Sequence, residues 1–435
     1  MTGTTCIQKA HAILRSVEDK IARLQSFEPY LIDLSLRENP FGSRVGMTLD
    51  QKKEIFPQLR AFGFQNILLG TLDYAHPEEL EVDDHFMMWL RDSGTDTTGG
   101  FAFTDIGLVS GGTFSPSISM QRMKDYRVPN TLHEIYLSPE GMKSMGYDFA
   151  TLMNSLPATI AWLNDNVVGD HGGQPRIIVN IVDGCDAFSE NLEQTCEVLS
   201  LLANQPIEGV SIEDDRGTYL PFQVGAFVAI AREYLPSPRK IVVHMHSGAG
   251  FENASLVEAI LNGADGVWGG LPKRAAIIGH ASLGELLANL VRVGNQNLGQ
   301  YQIGNLLPFC QYLQGQDDTA AIPEDLPILG TNAYRLTLDF FRQTDRFMDL
   351  PPERIGGTYG YRVAPLGSDP IVLRGRLIEV TGWPPERFPD DVMVTMMKLM
   401  RRELIAGERI VYDDPPQLVA LYERALGGGH VGSAR

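Results

Sequence analysis

The run "KIVVHMHSGAG" (240–250) ends its apolar, β-branched stretch with two histidines, His244 and His246, two residues apart. Such a run reads as a buried strand, and on a strand residues i and i+2 share a face. Two imidazoles on one face at a strand end suit a divalent metal, because neutral imidazole is the commonest protein ligand. A hydrogen-bonded polar pair at a sheet rim is the plainer alternative. Two other stretches carry partners for them. "LIDLSLREN" holds Asp33, Arg37 and Glu38, and "PKRAAIIGHAS" holds His280. "SIEDDRGTYLP" closes the sixth strand with Glu213, Asp214 and Asp215, either carboxylates at the mouth or a solvated acidic loop. One carboxylate with two imidazoles is a recognised divalent-metal set. Arg37 beside Glu38 adds a fixed cationic donor suited to an oxyanion developing on a carbonyl; elsewhere an Arg–Glu pair is usually a salt bridge.

These residues need a scaffold that brings distant strand ends together. From residue 31 short apolar runs alternate with helical stretches: "LIDLSL", "NILLG", "FAFTDIGLV", "LHEIYLS", "RIIVNIV", "GVSIED", "KIVVHM" and "DGVWGG" each precede a helix-like segment. Near-continuous apolar strands belong to a parallel sheet covered on both faces. Eight such units predict a TIM (β/α)8 barrel over 31–296, with chemistry at the C-terminal strand ends. The third unit is the weakest, with a short helix near 116–126. No glycine-rich phosphate loop follows the first strand, which argues against a doubly wound sheet.

Residues 1–30 predict an N-terminal helix, with Ile7, Ala10, Leu14, Val17, Ile21 and Leu24 forming one apolar stripe. It packs either on the barrel or on a partner subunit. Lys20 and Arg23 make it unlike a signal peptide. Residues 297–435 read as a mostly helical accessory region, with helices near 372–382, 389–406 and 415–425 after a Pro/Gly-rich connector.

The chain has 435 residues, 43% hydrophobic and 21% charged, with a formal net charge of −18. That balance argues against nucleic acid and anionic membrane surfaces, whose phosphates call for basic patches. It leaves room for an anionic substrate at a local positive site. The four cysteines lie far apart without a C-x-x-C, so neither a disulfide framework nor a cysteine zinc site is expected, and a reducing cytoplasm fits. No apolar run approaches the length of a membrane span.

With these residues in place, the chain resembles the DRE-TIM metallolyase superfamily, which includes isopropylmalate, homocitrate and citramalate synthases and hydroxymethylglutaryl-CoA lyase. "LIDLSLREN" and "VHMHSGAGFENASLVEAILNGADGVWGGLPKRAAIIGHASLGELL" carry the likeness. It spans roughly 30–425, strong at the first, seventh and eighth strands. It implies that Glu38, in the place where homocitrate synthases also have Glu, binds the metal with His244 and His246. It implies that Arg37 steadies a keto or enolate oxygen. His280 stands where the family has the Asn of a Gly-Asn pair, which implies a fourth ligand; an ordinary helix-start histidine is the alternative. Asp214 matches the Asp of a Pro-Asp-Thr-x-Gly stretch, as an acid–base or ligand-orienting group. "IPEDLPILGTNAY" resembles the start of the helical region of the condensing synthases, which the lyase lacks.

The departures are equally specific. No histidine lies in "NAYRLTLDFFRQ", where the synthases run on to a catalytic Ser-Gly-x-His. Ser247-Gly248 replaces an Asn-Asp, "AAIIGH" replaces a Gly-Glu-Arg, and the lyase's cysteine-bearing loop reads "GGLPKRA". Metal chemistry is thus retained while proton-transfer and thioester-handling parts are altered.

The expected activity is a metal-dependent Claisen-type condensation of an acyl-CoA with a 2-oxo acid. The alternatives are an aldolase or lyase working through the same enolate, and a manganese or iron oxidative enzyme with a three-His, one-carboxylate site. Asp33, Arg37, Lys273 and Arg274 are the substrate-binding candidates, the last two for a carboxylate or CoA phosphate. Asp183, Asp186, Asp73 and His76 are further rim candidates, and Tyr359 and Tyr361 either reach the mouth or pack. The metal is manganese, zinc, iron or magnesium, with imidazole ligands favouring a transition metal. A cytoplasmic homodimer is expected.

Overall fold

The computed structural model describes residues 3–37, 46–72, 79–272, 278–316 and 323–428. Glu38, Asp73, His76, Lys273 and Arg274 lie outside the described residues. The chain divides into two compact units, Met1–Ala321 and Ile322–Arg435.

The first unit opens with α1 (Gly3–Ser26) and β1 (Tyr30–Asp33). Then follow α2 (Leu49–Phe62), β2 (Asn66–Thr71), α3 (Val82–Ser93), β3 (Gly100–Asp105), a small hairpin of β4 (Leu108–Ser110) and β5 (Thr113–Ser115), and α4 (Ile118–Tyr126). Next come β6 (Asn130–Ile135), α5 (Pro139–Ser144), α6 (Phe149–Asn166), β7 (Ile177–Ile181), α7 (Gly184–Glu190) and α8 (Leu192–Ala203). The unit finishes with β8 (Gly209–Asp214), α9 (Pro221–Tyr234), β9 (Lys240–Met245), α10 (Glu252–Leu261), β10 (Gly266–Gly269), α11 (Leu283–Val293) and α12 (Leu306–Gly315). Eight strands close into a barrel in the order β1-β10-β9-β8-β7-β6-β3-β2, every neighbouring pair parallel. The TIM barrel read from the eight apolar runs is the observed fold. The third run, read as one stretch to residue 109, instead breaks at Asp105, and its tail pairs antiparallel with β5.

Local chemistry sets the element ends. Thr48 starts α2 with a capping box, accepting from the Gln51 amide while the Gln51 side chain accepts from the Thr48 amide. Gly294 ends α11 in the left-handed conformation. The barrel interior is filled by Ile32, Leu34, Leu68, Phe101, Phe103, Leu132, Ile178, Val242 and Trp268. Because side chains alternate along a strand, these residues fix which face every other strand residue takes.

The second unit holds a two-stranded pairing of β11 (Arg335–Leu336) with β12 (Gly360–Tyr361), then α13 (Pro370–Thr381), α14 (Asp390–Ile405) and α15 (Pro415–Gly428). Its helices enclose a core of their own around Leu373, Leu377, Phe388, Met393, Met396, Leu418 and Leu421. Tyr359 and Tyr361 bond within this unit: the Tyr359 hydroxyl donates to the Gln343 carbonyl, and the Tyr361 hydroxyl accepts from Arg342. No described helix is long and apolar enough to cross a membrane.

Candidate metal centre

Strand parity decides which residues look into the mouth. Val242 lies in the barrel interior, so His244 and His246, at the same parity, point the same way. On β8 the Ser211 hydroxyl accepts a hydrogen bond from interior Trp268 Nε1 at 2.6 Å, so Glu213 shares that inward face. The ligand-capable atoms of Glu213, His244 and His246 all lie within 4.8 Å of one another. His246 Nε2 is 3.3 Å from Glu213 Oε1, and Asn180 on β7 donates to Glu213 Oε2 at 2.8 Å.

The loop after β10 brings in a third imidazole. It returns beside the end of β9, where Ser247 N donates to Gly279 O and Ala281 N to Met245 O, leaving His246 and His280 as an antiparallel bridge. Residues directly opposite in such a bridge place side chains on one face. The ring centroids are 4.8 Å apart for His244 and His246, 5.0 Å for His244 and His280, and 6.3 Å for His246 and His280.

Two of these rings are held in one tautomer. His244 Nδ1–H donates to Trp268 O at 2.8 Å, and His280 Nδ1–H donates to Ala281 O at 3.0 Å. Each therefore keeps its lone pair on Nε2. His244 also stacks on the Trp268 indole, centroids 3.7 Å apart and planes 9° off parallel. One residue thus fixes both the tautomer and the plane of the His244 imidazole, the kind of outer-shell support that metal sites use. Burial first, then the neighbouring imidazoles, hold His244 well below the usual histidine range. Burial drives His280 down to about 3. His246 Nδ1 and His280 Nε2 are buried with no hydrogen-bond partner among the described residues. Orphaned buried nitrogens beside a carboxylate are costly unless something else engages them. Neutral imidazoles, a buried carboxylate and unsatisfied lone pairs on one face fit a divalent metal.

Arg37 reaches the same mouth. Its Nε donates to Thr71 Oγ1 at 2.8 Å, its guanidinium lies 4.9 Å from the Phe103 ring centroid, and its charge further depresses His244 and His280. Beneath it lies a network that the sequence did not signal. Buried Lys52 donates to the Leu36 carbonyl at 2.5 Å and pairs with Asp83 Oδ1 at 2.6 Å, while Asp83 Oδ2 accepts from Thr71 N. It clamps the start of the Arg37 loop to the end of β2.

Other sequence-selected residues go elsewhere. Asp33 sits one step from inward-facing Ile32 and Leu34, so it points out of the barrel interior. It is fully buried, its carboxylate accepting from the Ser35 amide and hydroxyl at 2.9 Å each. This corrects its placement at the mouth. Asp214 is likewise one step off the inward face; its carboxylate accepts from Thr218 N and Tyr219 N and so shapes the loop after β8. Asp183 caps the Leu137 and Ser138 amides, and Asp186 accepts from Arg216 and the Tyr219 hydroxyl.

The structure also explains one departure from the resembled pattern. A Cβ on Gly248 would fall 1.9 Å from the Arg216 carbonyl oxygen, and one on Gly217 (φ +62) would fall 2.1 Å from the His246 carbonyl oxygen. The loops after β8 and β9 touch backbone to backbone, so no larger side chain than glycine fits at 248.

No protein-family profile matches the chain. A 107-residue stretch is 33% identical to a 2-isopropylmalate synthase of Nitrosospira multiformis; it covers 23% of this chain and only 20% of that relative. Among solved structures, an HMG-CoA lyase from Acinetobacter baumannii in complex with coenzyme A and 3-methylmalate superposes with a TM-score of 0.55 at 14% identity, covering 68% of this chain and 92% of the lyase. The lyase of Pseudomonas aeruginosa gives 0.54 at 12% identity over 68% and 95%. The carboxyl transferase domain of Rhizobium etli pyruvate carboxylase with pyruvate gives 0.50 at 10% identity over 95% and 62%. The neighbours thus include the lyase branch of the superfamily that the motifs resemble, and what they share with this chain is the barrel fold.

Proposed function

We propose that this chain is a divalent-metal-dependent enzyme that forms a carbon–carbon bond beside a carbonyl, condensing an acyl-CoA with a 2-oxo acid. The observation that carries the reading is the convergence of Glu213, His244 and His246 at one end of the barrel, within reach of Arg37. Glu213, His244 and His246 would hold the ion, with His280 as a further nitrogen donor and with Glu38, which the resemblance names as a ligand, as a further carboxylate. When bound, the ion supplies Lewis acidity and a template for the keto acid.

The chain's own groups do the rest. Arg37, fixed by Thr71 and Phe103, donates hydrogen bonds to the keto oxygen and balances charge as it becomes an alkoxide. Trp268 and Asn180 keep the His244 ring and the Glu213 carboxylate in place, so little reorganisation is required. Lys273 and Arg274, which follow β10 in the sequence, would supply positive charge for a carboxylate or phosphate of the substrate. The reverse reaction, lysis through the same enolate, is the second reading; the missing histidine in "NAYRLTLDFFRQ" favours it over an ordinary synthase.

Two measurements test this. Elemental analysis should find near-stoichiometric transition metal in the wild type and strong depletion in Glu213→Gln and His246→Ala, both still folded by circular dichroism. Unchanged metal content in both variants would remove the ligand assignment. A thiol-trapping assay with short acyl-CoAs and a panel of 2-oxo acids should show CoA release that depends on both substrates. Cleavage of 3-hydroxyacyl substrates without any condensation would shift the assignment to the lyase.

A further inference from the structure

Among the described residues, the outer part of the first helix leaves its apolar seam without a cover. Its base is tied down: Arg23 donates to the Leu261 carbonyl, Gln25 to the Val293 carbonyl, and Asn295 to the Leu24 carbonyl. Residues 6–20, by contrast, are exposed on every side, including Ile7 (61%), Ile13 (66%), Leu14 (56%) and Val17 (46%). A short helix standing alone in water is marginal, and its stability normally comes from packing an apolar face. Among the described residues of its own unit, nothing supplies such packing to residues 6–20.

The shape of the seam says what covers it. Ile7, Ala10, Leu14, Val17, Ile21 and Leu24 are spaced 3-4-3-4-3, a strict a/d pattern rather than the broader stripe of a helix lying on a globular core. A helix resting on an anionic membrane would need a wide apolar face opposite a basic one. This helix instead mixes Glu18 and Asp19 with Lys9, Arg15 and Lys20. At its base lies an open notch of about 500 Å³, lined by Arg23, Ser26, Phe27, Ile260 and Leu261 among others.

We infer that α1 pairs antiparallel with α1 of a second copy of this chain, the tip of each helix seated against the notch at the base of the other. Placing Leu14 against Val17 of the other copy sets the register. Ile7 then meets the half-buried Leu24, and Ala10 meets Ile21. In this register His11 lies opposite Glu18 on the flank, twice by the two-fold axis. The contact is isologous, each copy offering the same tip and the same notch, so it closes at two subunits. A parallel pairing would bring tip to tip, leave both notches uncovered and set no opposite charges against each other along the flanks.

The test uses the whole chain. Sedimentation velocity over a hundredfold concentration range should show a dimer that dissociates on dilution. The double variant Leu14→Glu, Val17→Glu should be monomeric throughout, with unchanged circular dichroism and metal content, since both positions are exposed. Introducing Ala10→Cys together with Ile21→Cys in a Cys6→Ser background should yield, on mild oxidation, a covalent dimer on a non-reducing gel, and either new cysteine alone should not. A monomer at every concentration would overturn the inference, as would a dimer indifferent to the two glutamates. Covalent dimers formed through Cys6 in the wild type, without the added cysteines, would overturn the antiparallel arrangement.

Discussion

At the scale of single residues, one position along a strand separates a carboxylate that faces the candidate metal centre from a structural one. Glu213 and Asp214 are adjacent and both acidic, yet Glu213 faces two imidazoles while Asp214 caps two amides. Asp33 shows what the outward side of a strand does to a carboxyl. Burial raises it from 3.8 to about 7, and its bonds to Ser35 offset only part of that. Its proton is therefore held by the folded chain and released by the unfolded chain between about pH 4 and 7. The stability it contributes is fully present below about pH 4 and is lost as pH rises through about 7. The full span is worth roughly 4 kcal/mol at about 1.4 kcal/mol per unit. Urea denaturation of the Asp33→Asn variant should thus show a flatter pH dependence between pH 4 and 8 than the wild type. An identical slope would show that another group sets it.

Among elements, the centre depends on loops that touch without side chains between them. The loop after β8 passes so close to the end of β9 that Gly217 and Gly248 have no room for a Cβ. Gly217→Ala is expected to push the His246 carbonyl away and to weaken metal binding about tenfold or more, the scale on which support of a ligand matters. Gly94, also left-handed at φ +67 but with nothing near its Cβ, makes the control. Gly94→Ala should carry similar backbone strain, about 1–2 kcal/mol, without altering metal affinity. Metal titration of both variants decides; equal affinities would mean that strain, and not displacement of His246, is the whole effect. The Lys52–Asp83 pair belongs to this scale too. It joins α2, α3 and the end of β2 beneath Arg37, and nothing in the spacing of "DQKKEIF" marks Lys52 as the buried lysine rather than Lys53.

For the whole molecule, two cores imply two separable stabilities. Phe388 is fully buried against Trp383 and Tyr422 in the helical unit, with ring centroids at 6.2 and 5.1 Å. Phe388→Ala should cost that unit about 3–5 kcal/mol. Calorimetry should register a lowered transition while metal content per chain stays unchanged; loss of the metal with it would show that the barrel site depends on this core.

The amino-acid sequence by itself determined the barrel and much of its centre. Eight apolar runs of strand length, each followed by a helical period, leave few architectures open, and the i, i+2 spacing of His244 and His246 puts both on one face in any strand. Only the tertiary structure showed that Glu213 faces them. Parity needs an anchor, and "SIEDD" offers three acids with no sign of which faces inward until Ser211 is seen bonding to Trp268 across the barrel. The same holds for His280, whose side chain is aimed by an antiparallel bridge between two loops distant in sequence, and for α1, whose stripe was legible but whose exposure was not. Periodicity is a local property that a chain displays along its length; facing and covering arise from contacts between segments far apart, which only the closed fold brings together.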